Sequence, residues 1–103
     1  MAFVQVATVA DVAVGSAIEV VVQGEQIGIF NCGGTFYATN NICTHAYAEL
    51  HEGYIDGDDC TIECPLHGAR FDLATGRALA LPAITPIQVY EIQIENEMIL
   101  VDI

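Results

Sequence analysis

The chain has 103 residues, 53% of them hydrophobic, and carries fourteen acidic side chains against two arginines, Arg70 and Arg77, for a formal net charge of −12. That size suits one domain with a real core and excludes a disordered chain, and the longest apolar runs, at 20–22 and 98–101, are far too short to span a bilayer. A surface this acidic repels nucleic-acid phosphates and anionic headgroups, so neither nucleic acid nor membrane is an expected partner; a protein with a basic docking face is.

The N-terminus has no basic segment followed by an apolar run and a cleavage site. No secretory signal is therefore expected, and a cytoplasmic location is. Residues 3–8 alternate like a strand, residues 10–15 suit one short helical turn, and 18–23 form a β-branched run. Gln23-Gly24-Glu25 turns the chain into a strand at 26–32, and Cys32-Gly33-Gly34-Thr35 turns it again into 36–39. From Asn40 to about Phe71 the β pattern is interrupted by two irregular segments, 41–46 and 64–69. A strand-like stretch at 60–63 leads into the second. Further on, Tyr90, Ile92 and Ile94 alternate with Glu91, Gln93 and Glu95, and Glu95-Asn96-Glu97 turns into a last strand at 98–101. The expectation is one all-β domain over 1–103, an antiparallel sandwich of small stacked sheets. A two-loop, ligand-bearing subdomain is inserted at about 41–71.

The two irregular segments carry the chemistry. Cys43-Thr44-His45 is followed, after eighteen intervening residues, by Cys64-Pro65-Leu66-His67. Each loop offers one thiolate and one imidazole, and this two-sulfur, two-nitrogen set suits an iron–sulfur cluster or zinc. Zinc would leave the protein colourless, whereas a cluster absorbs visible light. Cys32 and Cys60 lie in apolar, strand-like stretches. With no secretory signal, metal binding by two of the four cysteines outranks oxidation of all four, and Cys32 and Cys60 read as small buried hydrophobes rather than as functional thiols. His51 reads as a surface histidine, because both loops already have theirs.

Cys-Thr-His paired with Cys-Pro-Leu-His-Gly resembles the Rieske signature. The likeness runs on through Phe36-Tyr37-Ala38-Thr39-Asn40-Asn41-Ile42, Glu52-Gly53-Tyr54, Ala69-Arg70-Phe71-Asp72 and Thr75-Gly76. Over essentially the whole chain it is similar to the ferredoxin components of bacterial aromatic ring-hydroxylating dioxygenases. The resemblance implies one [2Fe–2S] cluster, with Cys43 and Cys64 on a buried iron and His45 and His67 on an outer one. Two ferric irons, two sulfides, two thiolates and two neutral imidazoles sum to zero charge, which eases reduction relative to four thiolates. Gly68 would let the backbone approach the cluster, Pro65 would stiffen the second loop, and Leu81-Pro82-Ala83 would be a third covering loop, with Pro82 in the cluster's environment.

High-potential members of the family carry an extra cysteine in each ligand loop and hydroxyls aimed at the sulfurs. Here Leu66, Ala69 and Phe71 stand at such positions, so the resemblance implies a low-potential site. It also implies two partners, an NADH-dependent flavoprotein ferredoxin reductase and a terminal oxygenase, met in turn by a monomeric carrier. His45 and His67 would form the docking tip. Asp58, Asp59 and Arg70 are candidate contacts, with Arg70 otherwise free to pair with Glu63. No nucleophile with a base, phosphate loop or nicotinamide fingerprint accompanies the ligands, so the chain is expected to relay electrons rather than to be an enzyme. Two other readings share the ligands or the fold: the ferredoxin of a di-iron monooxygenase, and the small subunit of a nitrite reductase-type complex. The complete ligand set disfavours the latter.

Overall fold

The computed structural model describes residues 2–44, 47–66, 68–81 and 85–103, and among them eleven short strands form three antiparallel sheets. The first sheet joins β1 (Phe3–Thr8), β11 (Met98–Asp102) and β10 (Ile92–Glu95) in that order. The second runs β2 (Ala17–Val22), β3 (Glu25–Cys32), β4 (Thr35–Asn40) and β9 (Val89–Tyr90). The third is a ladder of three-residue strands: β5 (Tyr54–Asp56), β6 (Thr61–Glu63), β7 (Arg70–Asp72) and β8 (Ala78–Ala80). Among the described residues, helical structure is limited to two 3-10 turns, Val9–Asp11 and Leu50–Glu52. No helix among the described residues is long and apolar enough to cross a membrane. The expected all-β sandwich of small antiparallel sheets is the observed architecture.

Three hairpins share one device. Gln23-Gly24, Gly33-Gly34 and Asn96-Glu97 are two-residue connections between directly paired residues, and all six take positive φ. Left-handed turns of this kind match the right-handed twist of the flanking strands, which explains the register.

β3 explains why the sheets stack. Its residues from Ile27 to Cys32 are all buried, so both of its faces are covered. Ile27 and Ile29 pack with Phe36, Ala38, Ile99 and Val101 towards the first sheet. Phe30 and Cys32 pack on the other side with Cys43, Leu50, Ile62, Cys64 and Phe71, beneath the third sheet and the irregular loops. A strand sandwiched in this way loses the alternation of a half-exposed one, and the one polar residue of the buried run, Asn31, is satisfied by a bond to the Val12 carbonyl.

Two details depart from the sequence reading. The strand expected at 90–95 is broken at Glu91: β9 pairs with β4, whereas β10 pairs with β11 in the first sheet. One alternating segment thus serves two sheets. The larger departure is that Cys32 and Cys60 form a disulfide, with Cα atoms 5.7 Å apart. Cys32 ends β3, Cys60 closes the four-residue turn between β5 and β6, and the packing of the third sheet on β3 brings the two together. Cys32 is buried, as its apolar flanks suggest, whereas Cys60 is only half-buried, and their pairing was not foreseen.

Candidate metal centre

Two loops of the same build rise from this scaffold. The first leaves β4 and is pinched by an isolated antiparallel bridge between Ile42 and Glu49. Inside it, the Cys43 N–H donates to the Ala48 carbonyl at 3.0 Å. The second leaves β6 and enters β7, and the Cys64 N–H donates to the Ala69 carbonyl at 2.7 Å. In each, a cysteine opens a six-residue loop that its own amide closes against an alanine five residues on. The two cysteines and the two alanines are all buried, in the same cluster as Leu50, Ile62 and Phe71.

Gly68 has φ of +73°, and its N–H bonds the Cys64 carbonyl at 3.3 Å. A left-handed backbone is reason enough for glycine there, independent of any close approach to a cofactor. Pro65 and Leu66 form the exposed outer bend of the second loop. Thr44 Oγ1 donates to the Thr85 carbonyl at 2.8 Å, tying the first loop to the segment that follows Leu81. His45, His67 and Pro82, three of the sequence-predicted site residues, lie outside the described residues.

The described part of the donor set fits a sulfur-bound metal cluster. Two thiol-bearing side chains outside the disulfide are buried together, each on a hydrogen-bonded loop that continues into a histidine of the motif. Burial excludes water from soft thiolate ligands, and short closed loops hold their spacing.

A family model for the Rieske [2Fe–2S] domain matches residues 2–91. The chain belongs to the Rieske family. It is 46% identical over 95 residues to the 3-phenylpropionate/cinnamic acid dioxygenase ferredoxin subunit of Escherichia coli K12, covering 92% of this chain and 88% of that one. Among solved structures it is similar to the ferredoxin of carbazole 1,9a-dioxygenase from Nocardioides aromaticivorans IC177, at a TM-score of 0.93 and 36% identity, covering 98% and 97% of the two chains. It is also similar, at a TM-score of 0.88 and 34% identity over 96% of this chain and 91% of that one, to a chain in a complex of reduced oxygenase and oxidised ferredoxin of carbazole 1,9a-dioxygenase. A Rieske protein carries a [2Fe–2S] cluster, and its chemistry is the transfer of one electron at a time. Such relatives are ferredoxins, electron-transfer components of multicomponent dioxygenases rather than the enzymes that act on substrate.

The remaining sequence-predicted residues are spread along the Rieske chain. Arg70 is half-buried at the start of β7, next to the second loop and directly opposite Glu63. Asp58 and Asp59 sit in the β5–β6 turn, separated from Cys64 by the length of β6, about 10 Å of extended chain.

Sequence reasoning overlooked a group behind the first loop. His51 is half-buried, not loose on the surface, and its Nδ1 lies 2.8 Å from Asn41 Nδ2 and 3.8 Å from Glu49 Oε1. Asn41 is completely buried and also donates to Glu19 Oε2 at 2.7 Å. The signal available was the Asn40-Asn41 pair, two polar residues placed where the core begins. Exposed Tyr47, within the first loop, was also passed over.

Proposed function

We propose that Cys43, His45, Cys64 and His67 hold the Rieske cluster. On this reading the chain is a freely diffusing, single-domain monomer of the cytoplasm. It takes electrons from an NADH-dependent flavoprotein reductase and delivers them to the terminal oxygenase of an aromatic ring-hydroxylating system. The observation that carries this reading is the pair of equivalent loops, each opening on a buried cysteine of the family's motif. The cluster, when bound, supplies a reversible one-electron site. The protein's own residues exclude water from the sulfurs, since Cys43 and Cys64 are both buried.

Docking at that end is supported by its apolar surface. Tyr47, Leu66 and Leu81 are 69%, 64% and 77% exposed, one from each of the three segments around the site. Three large exposed apolar side chains suit a small, transient contact of the kind redox partners make. Ala69 and Phe71 offer no side-chain hydroxyl, which supports a potential near the bottom of the Rieske range, at about −150 mV.

The test is reconstitution. Purified holoprotein should couple NADH oxidation by such a reductase to product formation by a ring-hydroxylating oxygenase. Alanine at any of the four ligand positions should abolish the visible absorption and the coupling together. A native spectrum in any of those variants removes that residue from the ligand set. Coupling with neither partner class, by a protein with an intact cluster, refutes the assignment to a dioxygenase system.

A further inference from the structure

We propose that Asn41 is the positioning residue of the first ligand loop: its buried side chain, clamped by Glu19 and His51, fixes the backbone that carries Cys43. This rests on the reading that Cys43 is a cluster ligand.

The two loops differ in what holds them. The second is continuous with a β ladder on both sides, because Glu63 and Arg70 pair directly across β6 and β7. The first leaves β4 but returns into the 3-10 turn at Leu50–Glu52, so no ladder joins its two legs beyond the single Ile42–Glu49 bridge. Asn41 supplies the missing connection. Its N–H donates to the Gln26 carbonyl of β3 at 2.9 Å, and its carbonyl accepts from the Leu50 N–H at 2.7 Å. Its Oδ1 accepts from the His51 N–H at 2.9 Å. Its Nδ2 donates to Glu19 Oε2 at 2.7 Å and to His51 Nδ1 at 2.8 Å. Every donor and both acceptor groups of a fully buried residue are used, and they tie β2, β3 and both legs of the loop together two residues before Cys43.

The chemistry of the partners fixes the orientation of the amide. The Glu19 carboxylate only accepts and the His51 backbone N–H only donates, so Nδ2 must face the first and Oδ1 the second. His51 must then be unprotonated at Nδ1. Gln26 Nε2 adds a further bond to Glu19 Oε2 at 3.0 Å, which holds the carboxylate in place. Glu19, Glu49 and His51 bring ligand-type atoms within 4.8 Å of one another. The Asn41 amide nitrogen satisfies two of the three, Glu19 and His51, with its N–H groups. The fold also makes room for it: a Cβ on Gly28 of β3 would stand 2.8 Å from Asn41 Oδ1.

The test uses cluster-loaded protein and reads the g values of its reduced electron paramagnetic resonance spectrum together with its midpoint potential. A role confined to fold stability would leave both unchanged. Asn41→Ala and Glu19→Ala should shift both and speed iron release to a chelator by about tenfold to a hundredfold, as loss of a ligand's supporting partner does. Glu19→Gln keeps an oxygen acceptor for the amide and should restore the native g values. If Asn41→Ala does not fold, the two Glu19 variants decide. Native g values and potential in Glu19→Ala, or equal disturbance in Glu19→Ala and Glu19→Gln, overturn the proposal. Cys43→Ala separates the two readings. A native cluster in that variant refutes Cys43 as a ligand. Loss of the cluster there, with native spectra in the Asn41 and Glu19 variants, refutes only the positioning role.

Discussion

Ala69 and Phe71 are completely buried beside the second loop, in contact with the same buried cluster as Cys64. Neither can donate a hydrogen bond from its side chain, so negative charge gained on reduction finds no hydroxyl there. Ala69→Ser with Phe71→Tyr should raise the midpoint potential. A bond worth about 1 kcal/mol more to the reduced form moves a one-electron potential by roughly 40 mV. Voltammetry of the double variant reads this directly, and an unchanged potential would show that the hydroxyls do not reach the sulfurs. The added oxygens occupy a packed interior, so a lower melting temperature is expected alongside. Glu97 offers a separate residue-scale prediction. It sits at φ of +63° as the second residue of the β10–β11 turn, where its Cβ is sterically disfavoured. Glu97→Gly creates the Asn-Gly pair such turns prefer and should stabilise the protein by about 0.5–1 kcal/mol in urea unfolding. At this scale the two loops that open on Cys43 and Cys64 were legible, because each short Cys/His motif interrupts the β pattern. Asn41 was not, because its role depends on Glu19 and Gln26, which are distant in sequence.

Elements long enough to show a period were legible, as was β6 at the entry to the second loop, and the other three-residue strands were not. β1, β3, β4 and β11 each span at least five residues, and alternation or a buried β-branched run marked them within one or two residues. β5, β7 and β8 have three residues each, less than two full alternations, and exist because the third sheet packs on the cluster around Phe30 and Phe71. The Cys32–Cys60 bond belongs to the same unforeseen contact, since it joins the end of β3 to the β5–β6 turn across 28 residues of sequence. Closing a loop of that span removes denatured-state entropy worth about 3–4 kcal/mol. Cys32→Ala with Cys60→Ala should therefore lower unfolding stability by about that amount. Alkylation after the cluster is stripped in denaturant should label two cysteines without reductant and four with it. Four labels without reductant would show the pair to be thiols in the isolated protein.

At the scale of the molecule, a net charge of −12 acts over distances that no single contact reaches. The third sheet places Asp58 and Asp59 away from the second ligand loop, at the far end of β6, while Tyr47, Leu66 and Leu81 surround the loops themselves. Charge and apolar surface should accordingly govern different steps of association with a basic partner. Steering by the overall field raises association rates by about ten- to a thousandfold and is screened by salt, because the Debye length falls from about 10 Å at 0.1 M to about 3 Å at 1 M. Apolar contact resists screening. Asp58→Lys with Asp59→Lys changes the net charge from −12 to −8, each substitution adding two units. In stopped-flow measurements with the reductase, this pair should slow association at low salt and flatten its salt dependence, while leaving the high-salt rate and the dissociation rate unchanged. Leu66→Ser should do the reverse, speeding dissociation at every salt concentration with little effect on the low-salt association rate. An aspartate pair that weakened the complex equally at low and high salt would be a contact site rather than part of the steering field. The docking face would then have to extend down the third sheet to the β5–β6 turn.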